Sequence, residues 1–215
     1  MKQPHDQRPS ATDPTVVVRS AAVADIGPMT GVLTAAFAKN DPFNEWLFPD
    51  PALRARSEPR MFAAMIRHRF IPQDCALVAS IGGRIVGALL WNAGAPGFRP
   101  IHAMLGGISL LAAMGSRVSA GMAMDAMVAA LDPGRPHAVG IYLGCAPDVQ
   151  RRGVGRALVN ALAARCDHDD VPLYLMCKDA NVGYYGCHGF EVVKQARLGN
   201  DGPLVNVMVR QPNRP

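Results

Sequence analysis

A glycine-bearing turn set between two regular elements constrains this chain more than any other feature. The segment Gln150-Arg151-Arg152-Gly153-Val154-Gly155 follows a strand-like run, Val139 to Cys145, and precedes a stretch with Val154, Leu158, Ala161, Leu162 and Arg165 on one helical stripe. The first N–H groups of a helix lack intrahelical acceptors and sit at the positive end of its dipole, so such a turn is a ready anion site. Gly153 and Gly155 remove side chains where a phosphate must approach the backbone. Arg151, Arg152 and Arg156 add charge around it. Together these suit a pyrophosphate. The string differs from the dinucleotide fingerprint G-x-G-x-x-G, because Arg151 stands at the first glycine position.

The rest of the chain supplies a frame for that turn. Val16 to Val18 reads as a first strand, and Asp25 as the cap of a helix carrying Ile26, Met29, Val32, Leu33 and Phe37. Asn40-Asp41-Pro42 ends this helix, since the residue before proline resists the α region. Phe43 to Pro51 reads as an aromatic-rich loop and Leu53 to Phe70 as a second helix. Ala76 to Ile81, the turn Gly82-Gly83, and Ile85 to Trp91 read as a hairpin. After a loop, Asn92 to Pro100, an Ala/Met/Gly-rich stretch to Leu131 reads as one or two helices. In the strand Val139 to Cys145, alternation places Val139, Ile141, Leu143 and Cys145 on one face. Val171 to Cys177 reads as a strand, Asn181 to His188 as a short helix, and Phe190 to Lys194 and Leu204 to Arg210 as strands. This order predicts an α/β fold with a mixed sheet of about six to seven strands flanked by helices.

With 215 residues, 49% of them hydrophobic, the chain can bury a core without metals or disulfides. Residues 15–211 read as a single domain. Met1 to Pro14, rich in charge and proline without an apolar core, reads as a disordered lead-in rather than a signal peptide. The net charge of +5 is scattered, with no run of like charges that would grip nucleic acid. Five cysteines without a C-x-x-C pair read as reduced thiols in a cytoplasmic protein, and no ligand set has metal-binding spacing. The apolar segment Pro100 to Ser116 falls short of the ~20 residues of a membrane span, being closed by Arg99 and Arg117 and weakened by Gly106-Gly107. It reads as a buried or substrate-facing helix.

One βα unit after the turn comes Asn181-Val182-Gly183-Tyr184-Tyr185-Gly186-Cys187-His188-Gly189-Phe190. Asn181 and Tyr185 are four apart, on one helical face, and Gly189 is a natural helix stop. The joint pattern Leu143-x-Cys145-x-Pro147-x-x-Gln150-Arg151-x-Gly153-x-Gly155, then Asn181-x-x-x-Tyr185-x-x-x-Gly189-Phe190, resembles the GNAT superfamily of acyl-CoA-dependent N-acetyltransferases. The resemblance runs from about Val139 to Val193 and is closest to the puromycin N-acetyltransferase-like branch. Asp41-Pro42 and Trp46-Leu47-Phe48-Pro49-Asp50 are similar to that branch's loop between the first helices.

The resemblance implies a set of roles. The central strands 139–145 and 171–177 should splay apart. The backbone of Leu143, Gly144 and Cys145 would bond the pantetheine arm of acetyl-CoA like an added strand and stabilise the oxyanion. Gln150, Arg151, Arg152, Gly153, Val154, Gly155 and Arg156 would hold the pyrophosphate. Asn181 would touch the cofactor arm, and Tyr185 would protonate the departing thiolate, as a phenol beside a thiol can. The amine would attack the thioester directly. A small-molecule amine is the expected acceptor, in a pocket built from Asp41 to Asp50, the helices of 100–131 and the Arg197 to Leu204 loop. Within the acidic loop, Asp41, Glu45 and Asp50 could attract a cation or simply be solvated. The resemblance also implies pairing of related folds through a sheet edge, so a homodimer is an expectation, whereas no nucleic-acid or membrane partner is expected.

Two departures matter. Met176 stands where many relatives carry a glutamate that takes the amine's proton, and the chain has only Glu45, Glu58 and Glu191. Tyr185-Gly186-Cys187-His188 replaces the usual acidic-basic pair after the tyrosine. Acetylation of a protein or peptide amine, and an acyl-CoA-binding module without catalysis, therefore stand as alternatives.

Overall fold

The computed structural model describes residues 15–93, 100–199 and 201–213. The expected lead-in, 1–14, lies outside the described residues, as does the 94–99 part of the expected loop.

The chain opens with β1 (Val17–Ser20) and α1 (Ile26–Phe37). Asp25 does not cap α1 through its side chain. Its carboxylate instead binds Arg19 at 2.6 and 2.9 Å and accepts the N–H of Ala22 at 2.7 Å, fastening the end of β1. The expected aromatic loop contains a helix, α2 (Pro42–Leu47). Asp41 caps it by accepting the N–H of Asn44 at 2.9 Å, and Pro42 occupies the first turn, where a missing N–H costs nothing. Asp50 likewise caps α3 (Pro51–Met65), which continues as a π-helical turn, Ile66–Phe70.

The hairpin β2 (Ala76–Ile81) and β3 (Arg84–Ala93) follows as expected. The apolar stretch then folds as α4 (Pro100–Met114) and α5 (Val118–Ala129). The run Ile101–Ala129 is long and apolar enough to cross a membrane by length and composition, but Gly115 at φ +56° breaks it in two. Arg117, at the break, donates to the carbonyls of Leu47 and Trp46, both at 2.7 Å. The expectation of a buried or substrate-facing helix holds for one side of α4, where Gly106 is buried and Leu110 and Met114 line the cavity described below. Ala113 and Met114 are buried, whereas Ile101, Met104, Leu105, Ile108 and Leu111 are exposed on one outer stripe.

The remaining elements are β4 (Ala138–Cys145), α6 (Val154–His168), β5 (Leu173–Cys177), α7 (Val182–Gly186), β6 (Glu191–Arg197) and β7 (Leu204–Arg210). Seven strands form one mixed sheet in the order β1-β2-β3-β4-β5-β7-β6, with β4 and β5 its parallel pair.

Two glycines set how closely helices approach this sheet. Gly87 of β3 pairs with Cys145, and a Cβ on Gly87 would stand 2.6 Å from Val154 Cγ1 of α6. Gly144 points to the other face, where a Cβ would stand 2.9 Å from Leu33 Cδ2 of α1. α6 and α1 therefore sandwich the centre of the sheet.

The single-face reading of 139–145 fails at a β-bulge. Leu90 pairs with Tyr142 and Trp91 with Gly140, so Ile141 is an extra residue in β4. Val139 packs with Leu131 and Val207, while Cys145 lies beside Gly155 on the α6 side. Tyr142 turns into the core under α1 and α3, edge-on to Phe37 and Phe62 with ring centroids 5.5 and 5.0 Å away.

Candidate active site

The sheet opens at its centre. β4 and β5 pair only from Ala138 to Gly140 against Leu173 to Leu175. Beyond that point β4 stays with β3 and β5 stays with β7, so the facing edges of the two strands part. This is the expected splay. An unpaired strand edge at Ile141 to Cys145 offers N–H and C=O groups to an extended ligand arm. Leu143 and Cys145 are half-buried along this edge, and the small Gly144 is buried between them against α1.

At the C-terminal end of β4 the chain turns through Pro147–Val149 into α6. Arg151 adopts φ +63° and Gly153 φ +81°, two left-handed residues in a single turn. A non-glycine residue pays ~1–2 kcal/mol for that conformation. Left-handed residues in such a turn curve successive N–H groups into a concave anion nest at the helix N-terminus. The side chains of Arg151, Arg152 and Arg156 are exposed around it, and Gln150 Nε2 reaches the Cys145 carbonyl at 3.5 Å. Val154 is buried and anchors the helix end, while nothing lies within 4 Å of a Cβ on Gly153. The turn thus leaves space of the kind a pyrophosphate needs.

α7 faces the same opening. Asn181 heads it without spending its side chain on a cap bond, and lines the cavity described below. Tyr185 is half-buried, with the Phe190 and Tyr184 rings 5.7 and 5.1 Å away. Burial holds its hydroxyl pKa well above the ordinary phenol value, so it keeps its proton at neutral pH. Tyr184 was not singled out from the sequence. Its Oη lies 2.8 Å from where a Cβ on Gly155 would stand, and burial pushes its pKa to about 12.

On the other side of the splay is a cavity of about 160 Å³, bounded by β4, β5, α1, α2, α3, α4, α5 and α7. Six methionines line it: Met61, Met65, Met114, Met122, Met124 and Met176. The π-helical turn keeps Arg69 in line with Met61 and Met65, so this cation also reaches the wall. Arg69 is held by Asp125 at 2.8 Å. The acidic loop resolves into distinct roles. Asp41 is buried and lines the cavity, whereas Glu45 and Asp50 are exposed and do not. Behind Asp41, Glu58 is 2% exposed, bonded to Asn44 Nδ2, and pushed by burial to a pKa of about 7.

The expected contribution of the Arg197 to Leu204 loop is not found among the described residues. That loop braces Trp46 instead: Trp46 Nε1 donates to Asp201 at 3.3 Å, and a Cβ on Gly199 would stand 2.7 Å from the indole. Burial raises the thiols of Cys145 and Cys177 at the splay to about 11, so both stay protonated at neutral pH. Among the described residues, no three His, Cys, Asp or Glu side chains gather as a metal ion would require.

A splayed parallel pair, an amide-lined turn at a helix N-terminus and a protonated tyrosine between them define a site of the acyl-transferase class. Residues 40–190 match the acetyltransferase (GNAT) family, and the chain belongs to it. No curated protein matches the sequence. Solved structures similar in fold include a Corynebacterium glutamicum protein described as histone acetyltransferase HPA2 and related acetyltransferase. It shares 23% identity at a TM-score of 0.66, covering 94% of this chain and 98% of that one. A Drosophila melanogaster polyamine N-acetyltransferase shares 18% identity at 0.63, covering 92% and 100%. The Thermoplasma acidophilum PaiA N-acetyltransferase in complex with coenzyme A shares 8% identity at 0.56, covering 92% and 99%.

Proposed function

We propose that this N-acetyltransferase moves an acetyl group from acetyl-CoA to the primary amine of a small molecule, in the manner of the puromycin N-acetyltransferase-like branch. The observation that carries the acceptor class is the cavity itself: about 160 Å³, walled by six helices and the two splayed strands. A peptide acceptor would call for an extended groove along the sheet.

Acetyl-CoA supplies an activated thioester to this site. The edge of β4 from Leu143 to Cys145 holds the pantetheine arm, and its N–H groups stabilise the oxyanion as the amine attacks. The amides of Arg151 to Arg156 hold the pyrophosphate, with the arginine side chains around it. Asn181 touches the arm. Tyr185, kept protonated by burial, gives its proton to the departing thiolate. No acyl-enzyme forms on a cysteine, because the thiols at the splay stay protonated.

The test is a competition. The enzyme is offered acetyl-CoA, a mixture of small primary amines and a mixture of peptides with free N-termini, and the acetylated products are identified by mass spectrometry. Acetylation confined to small amines supports this reading. Peptide products alone would move the assignment to the protein-acetylating alternative, and coenzyme A binding without product would indicate a binding module.

A further inference from the structure

Two carboxylates among the described residues line the acceptor cavity, and they differ in what already holds them. Asp125 is in an ion pair with Arg69 at 2.8 Å and its side chain is 55% exposed, so it is neutralised at the rim. Asp41 is 8% exposed, and its Oδ1 accepts the Asn44 N–H at 2.9 Å. The nearby cation, Lys178, is tied elsewhere: its Nζ donates to the Asn40 carbonyl at 2.6 Å. Met176, which also lines the cavity, cannot accept a proton. Glu58 can, but it sits behind Asn44 and outside the cavity lining.

Resting on the transferase reading above, we propose that Asp41 receives the acceptor's ammonium group and takes its first proton, and that the acceptor is a monoamine on an apolar body about one aromatic ring in size. The size follows from the cavity. Its volume of about 160 Å³ compares with the ~150 Å³ cavity that accommodates one benzene. The apolar body follows from the methionine wall, which adapts to shape but offers no partner to further amino groups. A second ammonium would meet Lys178 there, or Asp125 already neutralised by Arg69.

The protons balance in four transfers. The ammonium gives one to the Asp41 carboxylate, because a dry site favours the neutral acid and amine over the separated charges. The neutral amine then forms the C–N bond as the C–S bond breaks. Tyr185 protonates the thiolate and recovers a proton from the amide nitrogen, while Asp41 releases its own to solvent. Burial raises the pKa of Asp41, and the groups acting on it are Lys178, Glu45 and the N–H groups of Asn44 and Phe43. Glu58 couples to it from α3, and Tyr142 lies within the field of Asp41, Asp125, Glu58 and Arg69.

The experiment compares the parent with Asp41→Asn, which keeps an oxygen to cap α2. Release of coenzyme A thiol is followed with 2-phenylethylamine, hexylamine and spermidine across pH, and acetyl-CoA affinity is measured alongside. The expected result is at least a tenfold higher kcat/KM for the two monoamines than for spermidine. In the variant, kcat/KM falls about 10²–10⁴-fold, its acid limb disappears and acetyl-CoA affinity is unchanged. A preference for spermidine, an unchanged pH profile, or loss of acetyl-CoA affinity in the variant would each overturn the proposal while leaving the transferase reading intact. Bound acetyl-CoA with no turnover of any amine would overturn both.

Discussion

Gly140 of β4 and Leu175 of β5 are the last partners before the two central strands part. The bulge at Ile141 lies one residue further along β4. Pairing ends where the backbone changes direction, and the acceptor cavity begins there, lined by Gly140, Ile141, Tyr142 and Leu143. Hydrogen exchange checks the consequence. With acetyl-CoA added, exchange slows at Leu143 to Cys145 and at Arg151 to Arg156, and is unchanged in β1 and β2. Protection elsewhere would remove the ligand arm from this opening.

Tyr185→Phe separates binding from chemistry. The ring still packs against Phe190, so acetyl-CoA affinity stays within about twofold. Turnover falls by roughly 10²–10⁴, the range for loss of a general acid. Initial rates and calorimetry on the same preparation decide the matter, and an unimpaired rate would assign the leaving-group proton to another donor.

Gly87→Ala tests how closely α6 packs on the sheet. The added methyl would stand 2.6 Å from Val154 Cγ1 and 2.9 Å from Leu158 Cδ1, two buried side chains with little room to shift. Overpacking of this kind costs about 1–3 kcal/mol, a fall in Tm of roughly 2–12 °C for a chain of this size. Thermal unfolding measures it directly.

Glu58→Gln has a pH-dependent effect whose sign is fixed by burial. The folded pKa is raised from 4.5 to about 7. The protonated side chain therefore contributes fully below pH 4.5, and that contribution is lost as pH rises through 7. Glutamine keeps an oxygen for Asn44 Nδ2 without the charge. The variant gains stability over the parent at pH 8, on the order of 2 kcal/mol, and little at pH 5. Chemical denaturation at the two pH values checks it, and equal differences would contradict it.

The geometry of the proposed cofactor half was more legible in sequence than that of the proposed acceptor half, for physical reasons. Gly153, Gly155 and Arg151 announce an anion turn because backbone freedom and local charge are properties of a few consecutive residues. Tyr185 and Asn181 share a helical face by spacing alone. The acceptor side depends on features that leave no local trace. The bulge at Ile141 sends Val139 to the opposite face from Cys145, and strict alternation misses it. The π-helical turn brings Arg69 to the cavity. Asp41 reads more readily as a solvated loop residue, until α2 forms around Pro42 and buries it. The outer stripe of α4, apolar yet exposed, also runs against a composition argument that would place it inside.

The most direct test of the account is calorimetric titration of the purified protein with acetyl-CoA, beside Gly153→Glu. That substitution sets a carboxylate before the helix N-terminus without a clash, at a left-handed residue with nothing within 4 Å of its Cβ position. Saturable binding at one site, lost in a variant that still unfolds cooperatively, is the predicted result. No heat at millimolar acetyl-CoA, or equal binding by the variant, would contradict the assignment of this turn and of the opening beside it.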